Sequence, residues 1–188
     1  MLKALCQSLC LSLPLAANAQ AASVVFLNPG LPNETFWVSY ARFMQAAADD
    51  LGMTLRVEYS ERNAERTLSQ ARALLKGPQR PDYLVLVNEQ YVAPEIIRLS
   101  KGTGVKLFLV NNGLTASQAQ SVEAQPEKYA QVLGTLTTND EQAGYQMLHQ
   151  MVALLPRTDG PVDLVAFAGV KTTPASQQRE AGMRRALA

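Results

Sequence analysis

Short continuous apolar runs alternate along this chain with segments whose apolar residues recur at helical spacing. The run Ser23 to Asn28 (SVVFLN) is stopped by Pro29-Gly30 and reads as a buried strand. From Phe36 to Leu51, residues Trp37, Tyr40, Met44, Ala47 and Leu51 fall on one helical face, and Gly52 is a stop signal. Leu55, Val57 and Tyr59 alternate with polar residues, as in a half-buried strand nearer a sheet edge. Asn63 can cap the next helix, with Leu68, Ala71, Leu74 and Leu75 facing inward and Gly77-Pro78 ending it. Strands are predicted at Tyr83 to Val87, Val105 to Val110, Gln131 to Leu136 and Val162 to Ala168. Helices are predicted from about Ala93 to Lys101, from about Glu141 to Leu155, and from near Ser176. The polar stretch Gly113 to Lys128 breaks the rhythm and is expected to be an insertion or a boundary between lobes.

Strand runs without polar alternation are buried on both faces, which means parallel strands covered by helices. The predicted fold class is therefore α/β, a doubly wound parallel sheet. Composition narrows the field. The chain has 188 residues, of which 47% are apolar and 18% charged, with 17 Lys+Arg against 16 Asp+Glu. Such a chain can bury a sizeable core and does not have the composition of a disordered one. The near-balance of charge gives no electrostatic footprint for nucleic acid. No run approaches the length of a membrane-spanning helix, so membrane insertion is not expected.

The first residues read as an address. Lys3 precedes a short apolar region from Ala4 to Leu15, and Ala17-Asn18-Ala19 has the small-x-small form of a signal-peptidase site. A cleaved signal peptide over residues 1–19 is expected, with the mature chain beginning at Gln20. Both cysteines, Cys6 and Cys10, fall inside it. The mature chain would thus lack disulfides, thiolate chemistry and Cys-rich zinc sites.

Ligands of open α/β sheets bind outside the carboxyl ends of the strands. The residues following the strands are Asn28 with the loop to Phe36-Trp37, then Asn88-Glu89, Asn111-Asn112, Asn139-Asp140, and Thr172-Thr173 with Arg179. Amides, a carboxylate, a guanidinium and flat aromatic rings suit a small polyhydroxylated or carbonyl-bearing molecule. The same residues fit plainer roles. Asn28, Asn88 and Asn111 suit strand-end turns, and Asn139 or Asp140 suits a helix cap. Phe36 and Trp37 suit a core, although adjacent helical residues point about 100° apart, so one of the two should leave the main apolar face. No nucleophile is paired with a base. His149 is the only histidine, and there is no phosphate-binding glycine loop.

Several segments together resemble the type I periplasmic binding protein family, which includes ribose-binding and LuxP-like autoinducer receptors. They are Thr35-Phe36-Trp37-Val38-Ser39 opening a helix that ends Asp50-Leu51-Gly52, Phe108-Leu109-Val110-Asn111-Asn112, Thr138-Asn139-Asp140 with Ala143-Gly144, and Arg179-Glu180-Ala181-Gly182-Met183. The resemblance implies a periplasmic binding protein-like I fold, with an N-terminal lobe over residues 20–136 and a partial second lobe over 137–188. Family members have two complete lobes and are much longer, so a C-terminally truncated chain is expected. By the family pattern, Glu34, Phe36, Trp37, Asn111 and Arg179 would contact ligand, joined by Asn88 and Asn139. The family's sugar binders usually carry Asp-Arg where Asn111-Asn112 stands here, which argues against a simple ribose-like specificity. The implied activity is periplasmic capture of a sugar or furanosyl signal by hinge closure, without catalysis or cofactor. The implied partner is an ABC transporter permease or a membrane sensor kinase. The alternatives are the ligand domain of a sugar-responsive regulator and an exported α/β enzyme.

Overall fold

A computed structural model describes residues 21–123, 129–156, 160–171 and 173–188. The expected signal peptide with its two cysteines, the cut before Gln20, Lys128 and Thr172 lie outside the described residues.

The first part of the chain alternates strand and helix as the pattern predicts. Strand β1 (Ser23–Asn28) leads to α1 (Thr35–Asp50), β2 (Thr54–Tyr59), α2 (Ala64–Lys76) and β3 (Tyr83–Leu86). A 3₁₀ turn (Glu89–Tyr91), α3 (Ala93–Ser100), β4 (Lys106–Asn111), α4 (Ala116–Glu123) and β5 (Val132–Thr137) follow. The strands form one parallel sheet in the order β2-β1-β3-β4-β5. The chain steps outward from β1 to β2, then back across to β3, which puts α1 on one face and the later helices on the other. As expected, β2 lies at an edge.

Side-chain alternation divides the core in two. Val25, Leu27, Leu84, Leu86, Leu107 and Leu109 point to the face covered by α2 and α3, where Leu74, Leu75, Ile96 and Ile97 meet them. Phe26, Val85, Val87 and Val110 point to the other face, against Trp37 of α1. Helix α2 is capped as predicted, Asn63 Oδ1 accepting from the Arg66 N–H at 2.9 Å. On α1 the inward stripe is narrower than its sequence suggests. Trp37, Ala41 and Ala48 are buried, while Ala47 and Leu51 are exposed beside the sheet.

Two expectations are corrected. The stretch from Gly113 is neither an insertion nor a lobe boundary, because α4 lies in it as the ordinary crossover between two neighbouring strands, with Leu114 and Val122 packed on the core. Its polar residues mislead because α4 presents only a thin apolar edge. The predicted strand Val162–Ala168 is irregular chain, with Val162, Val165 and Phe167 exposed. A strand needs a neighbour to take its N–H and C=O groups, and none of the five described strands pairs with it.

Beyond the sheet, α5 (Asp140–Ala153) and α6 (Pro174–Ala186) pack on each other. Glycines permit this contact. A Cβ at Gly182 would fall on the Glu141 carbonyl oxygen of α5, and one at Gly144 on the Arg179 carbonyl oxygen of α6. The pair is tied to the sheet by the Ala175 N–H, which donates to Asn112 Oδ1 at 3.2 Å, and by Gln177 Nε2 donating to the Tyr91 hydroxyl at 3.1 Å.

Candidate functional site

A cleft of about 350 Å³ opens between the carboxyl edge of the sheet and the start of α6. Its near wall comes from the loops after β1, β2, β3 and β4, and its far wall from the segment leading into α6. Brought together there are Glu34, Phe36, Trp37, Asn111 and Arg179, residues scattered across the chain.

Each is placed by local chemistry. The β1 loop turns on Asn28, whose Oδ1 accepts from the Gly30 N–H at 2.9 Å and whose Nδ2 donates to the Trp37 carbonyl at 3.2 Å. Gly30 is required at its position because a Cβ would overlap the Trp37 ring. The two aromatics divide as expected of neighbours on a helix. Trp37 is 3% exposed and Phe36 is 54% exposed, the rings meeting edge to face with centroids 4.9 Å apart. Asn111 ends β4 in the left-handed region, with φ 62°. That is a turn conformation Asn tolerates, and it still lines the cleft. Arg179 is half-exposed and its guanidinium forms a 2.6 Å ion pair with Asp140 at the buried start of α5.

Asn88 and Asn139 are not in the cleft lining. Asn88 is fully buried. Its Oδ1 accepts from the Ala93 N–H, and its Nδ2 donates to the Gly113 carbonyl and to Gln118 Oε1, both at 2.8 Å. It joins the turns after β3 and β4. Asn139 caps α5, its Oδ1 accepting from the Gln142 N–H at 3.0 Å. Both ends of the Asn88 amide are thus taken within the fold, and the Asn139 oxygen is taken by its helix.

Sequence reasoning missed Arg62 altogether and passed over Glu89 after noting it. Arg62 Nη1 donates to Glu89 Oε1 at 2.6 Å, Nη2 donates to Glu34 Oε1, and the guanidinium lies 5.8 Å from the Trp37 ring centroid. Burial acts to lower the Arg62 pKa. The Glu89 hydrogen bond and charge, followed by those of Glu34, outweigh it and raise the pKa above the ordinary value. The guanidinium stays charged. No sequence spacing announces this contact, because it joins loops after three different strands.

A neighbouring cavity of about 330 Å³ shares Asn111, Asn112 and Ala175 with the cleft. Leu114, Ala119, Val122 and Val132 make its lining more apolar, and it lacks the aromatic pair and the arginines. No group of His, Cys, Asp and Glu suited to a metal occurs among the described residues. No described helix is long and apolar enough to cross a membrane.

A cleft at the carboxyl edge of a parallel sheet, faced by a second element and offering a ring, amides and fixed charges, lies where open α/β sheets take small ligands. The chain belongs to the periplasmic binding protein domain family, whose description matches residues 24–188. Among solved structures it is similar to a periplasmic sugar-binding protein from Pseudomonas fluorescens, at 52% identity and a TM-score of 0.76 over 88% of this chain and 48% of that one. The fold is shared by an ABC sugar transporter subunit from Rhodobacter sphaeroides, at 20% identity and a TM-score of 0.68, over 88% of this chain and 52% of the other. It is shared too by a Mycobacterium smegmatis protein solved with β-D-fucofuranose, at 14% identity and a TM-score of 0.73, over 89% of this chain and 51% of the other. The chain thus spans about half the length of the solved structures it matches. No curated protein matches it.

Proposed function

We propose that the chain forms the first lobe, and the beginning of the second, of a periplasmic receptor that captures a sugar-like molecule for an ABC transporter or a membrane sensor. In this reading residues 1–19 are a signal peptide cut after Ala19, residues 20–136 form the first lobe, and residues 137–188 start the second. The lobes close on a hinge around the ligand, a non-covalent step. One observation carries the proposal: Glu34, Phe36 and Trp37 at the start of α1, Asn111 at the end of β4 and Arg179 in α6 line a single cleft. The 52% identity to a periplasmic sugar-binding protein supports the ligand class.

Each residue has a part that fits its chemistry. The exposed Phe36 ring offers a flat face to the C–H side of a sugar ring, and the buried Trp37 backs it edge to face. Glu34 accepts from hydroxyls, while Asn111 both accepts and donates. Arg179 donates from the opposite wall, which makes it a reporter of closure. The test is thermal stabilisation of the protein at its native length by a panel of free monosaccharides. At about 100 times Kd, a ligand should stabilise the fold by about 2.7 kcal/mol. Phe36→Ala and Arg179→Ala, both at exposed side chains, should each abolish that shift while leaving the unliganded protein folded. Unchanged stabilisation in both variants would remove the site assignment.

A further inference from the structure

Arg62 occupies an unusual piece of backbone. Glu61 and Arg62 both lie in the left-handed region, with φ 54° and 61°, and so do Gln90 and Tyr91 after β3, with φ 53° and 61°. Two successive non-glycine residues held this way are uncommon, and such outliers gather where surroundings over-determine the chain. Here the surroundings are explicit. The Arg62 N–H donates to the Pro29 carbonyl at 2.7 Å, the Glu61 N–H donates to the Gly30 carbonyl at 3.1 Å, and Gln90 Nε2 donates to the Arg62 carbonyl at 2.7 Å. The loops after β1, β2 and β3 are thereby joined at one residue. Its side chain then spans Glu34 and the buried Glu89 and lies beside Trp37.

Charge follows from this geometry. Three carboxylates, Glu34, Glu89 and Asp140, are shared between two guanidinium groups, Arg62 and Arg179. Both arginines at the cleft are already engaged by protein carboxylates, so neither is an unpaired cation waiting for an anion. A ligand carboxylate or phosphate would have to compete with these ion pairs for either guanidinium and would meet the Glu34 and Glu89 carboxylates beside it. Hydroxyl groups meet no such conflict, since an ion-paired carboxylate retains lone pairs to accept from them.

We propose that Arg62 is a positioning and specificity-determining residue, which fixes Glu34 and Glu89 as hydroxyl acceptors and leaves the cleft selective for neutral polyols over sugar acids and sugar phosphates. This rests on the sugar-receptor reading above. Arg62 acts through the two glutamates and the Trp37 face.

The experiment titrates the native-length protein at about pH 6.5, where carboxylates are ionised and sugar amines are protonated, following tryptophan emission. Trp37 is the only tryptophan in this chain and borders the cleft. The probes are D-ribose, D-glucose, D-galactose and D-fructose. D-Glucuronate, D-galacturonate, the corresponding sugar phosphates, D-glucosamine and D-galactosamine complete the set. The unaltered protein should bind its best neutral sugar at least about tenfold more tightly than any matching acid or phosphate. Arg62→Met frees both glutamates, so affinity for the neutral sugar should fall and the ratio of amino-sugar to neutral-sugar affinity should rise by about tenfold or more. Arg62→Lys keeps the charge but cannot fork to both carboxylates, and should lose neutral-sugar affinity without that rise in ratio. A merely structural role would weaken all probes alike. A uronate or phosphate binding as well as the neutral sugar overturns the inference alone, and this arm needs no variant to fold. So does an Arg62→Met protein whose amino-to-neutral ratio stays unchanged. Failure of every sugar to bind overturns the receptor reading, and this inference with it.

Discussion

The two parts of the molecule satisfy the same sequence pattern to different degrees. In the sheet, apolar strand residues find helices on both faces, and Phe26, Leu84, Leu86, Leu107 and Leu109 are essentially inaccessible to solvent. In α5, α6 and the chain between them, Leu148, Pro174 and Ala175 are the buried apolar side chains among the described residues. Met147, Met151, Leu154, Val165 and Phe167 meet water instead. The lesson is that a periodic apolar pattern states a demand for partners. The central strands β1, β3 and β4 meet that demand, whereas on edge strand β5 Leu133 and Leu136 stay exposed. The second part meets it only where Gly144 and Gly182 let two helices touch.

This contrast is sharpest for leucine truncation. Leu84→Ala, at a site with no exposure, should cost about 2–5 kcal/mol in denaturant unfolding. Leu154→Ala, at a residue 82% exposed, should change stability by less than about 0.5 kcal/mol. An equal cost at both positions would mean that a further element covers α5 and would break the comparison.

The next effect in size concerns the helix pair itself. Gly182→Ala drives a methyl group into the Glu141 carbonyl, and overpacking against backbone costs about 1–3 kcal/mol. Amide hydrogen exchange in α5 should therefore quicken by about tenfold or more, while β1, β3 and β4 keep their protection. Faster exchange throughout the sheet would show the two parts unfolding as one unit.

The smallest expected effect lies within the sheet. The Ser23 N–H and hydroxyl both donate to Asp82 Oδ2 at 2.7 Å, holding that carboxyl below its ordinary pKa, the backbone donor contributing most. A carboxyl whose pKa is depressed on folding stabilises the protein above its unfolded pKa of about 3.9. That contribution disappears as pH falls through the lower folded value. Ser23→Ala removes one of the two donors, so its stability deficit should be present at neutral pH and shrink on acidification below about pH 4. A deficit independent of pH would place the effect in the reverse contact, Asp82 N–H to Ser23 Oγ, instead.

Where partners lie close in the chain, the sequence is readable. Asn63 and Gly77 mark α2 because capping is local, and the edge position of β2 shows in its alternation. The split between Phe36 and Trp37 follows from helical geometry alone. Residues 162–168 have a strand's composition, but a strand is completed by a neighbour, and none of the five described strands supplies one. Asn88 and Asn139 have the right chemistry for a ligand, yet the fold engages both ends of the Asn88 amide, and α5 takes the Asn139 oxygen as its cap. Arg62 was invisible for the opposite reason. Nothing in SERNAER sets it apart from an ordinary solvated arginine until the β1, β2 and β3 loops meet around it.

The most direct measurement is a crystal structure of the native-length protein grown with the monosaccharide that most raises its Tm. The sugar is expected in the cleft, its ring against Phe36, with Glu34, Asn111 and Arg179 within about 3.2 Å of its hydroxyls. A sugar found instead in the neighbouring cavity beside Leu114 and Val122, or away from both, would contradict the account.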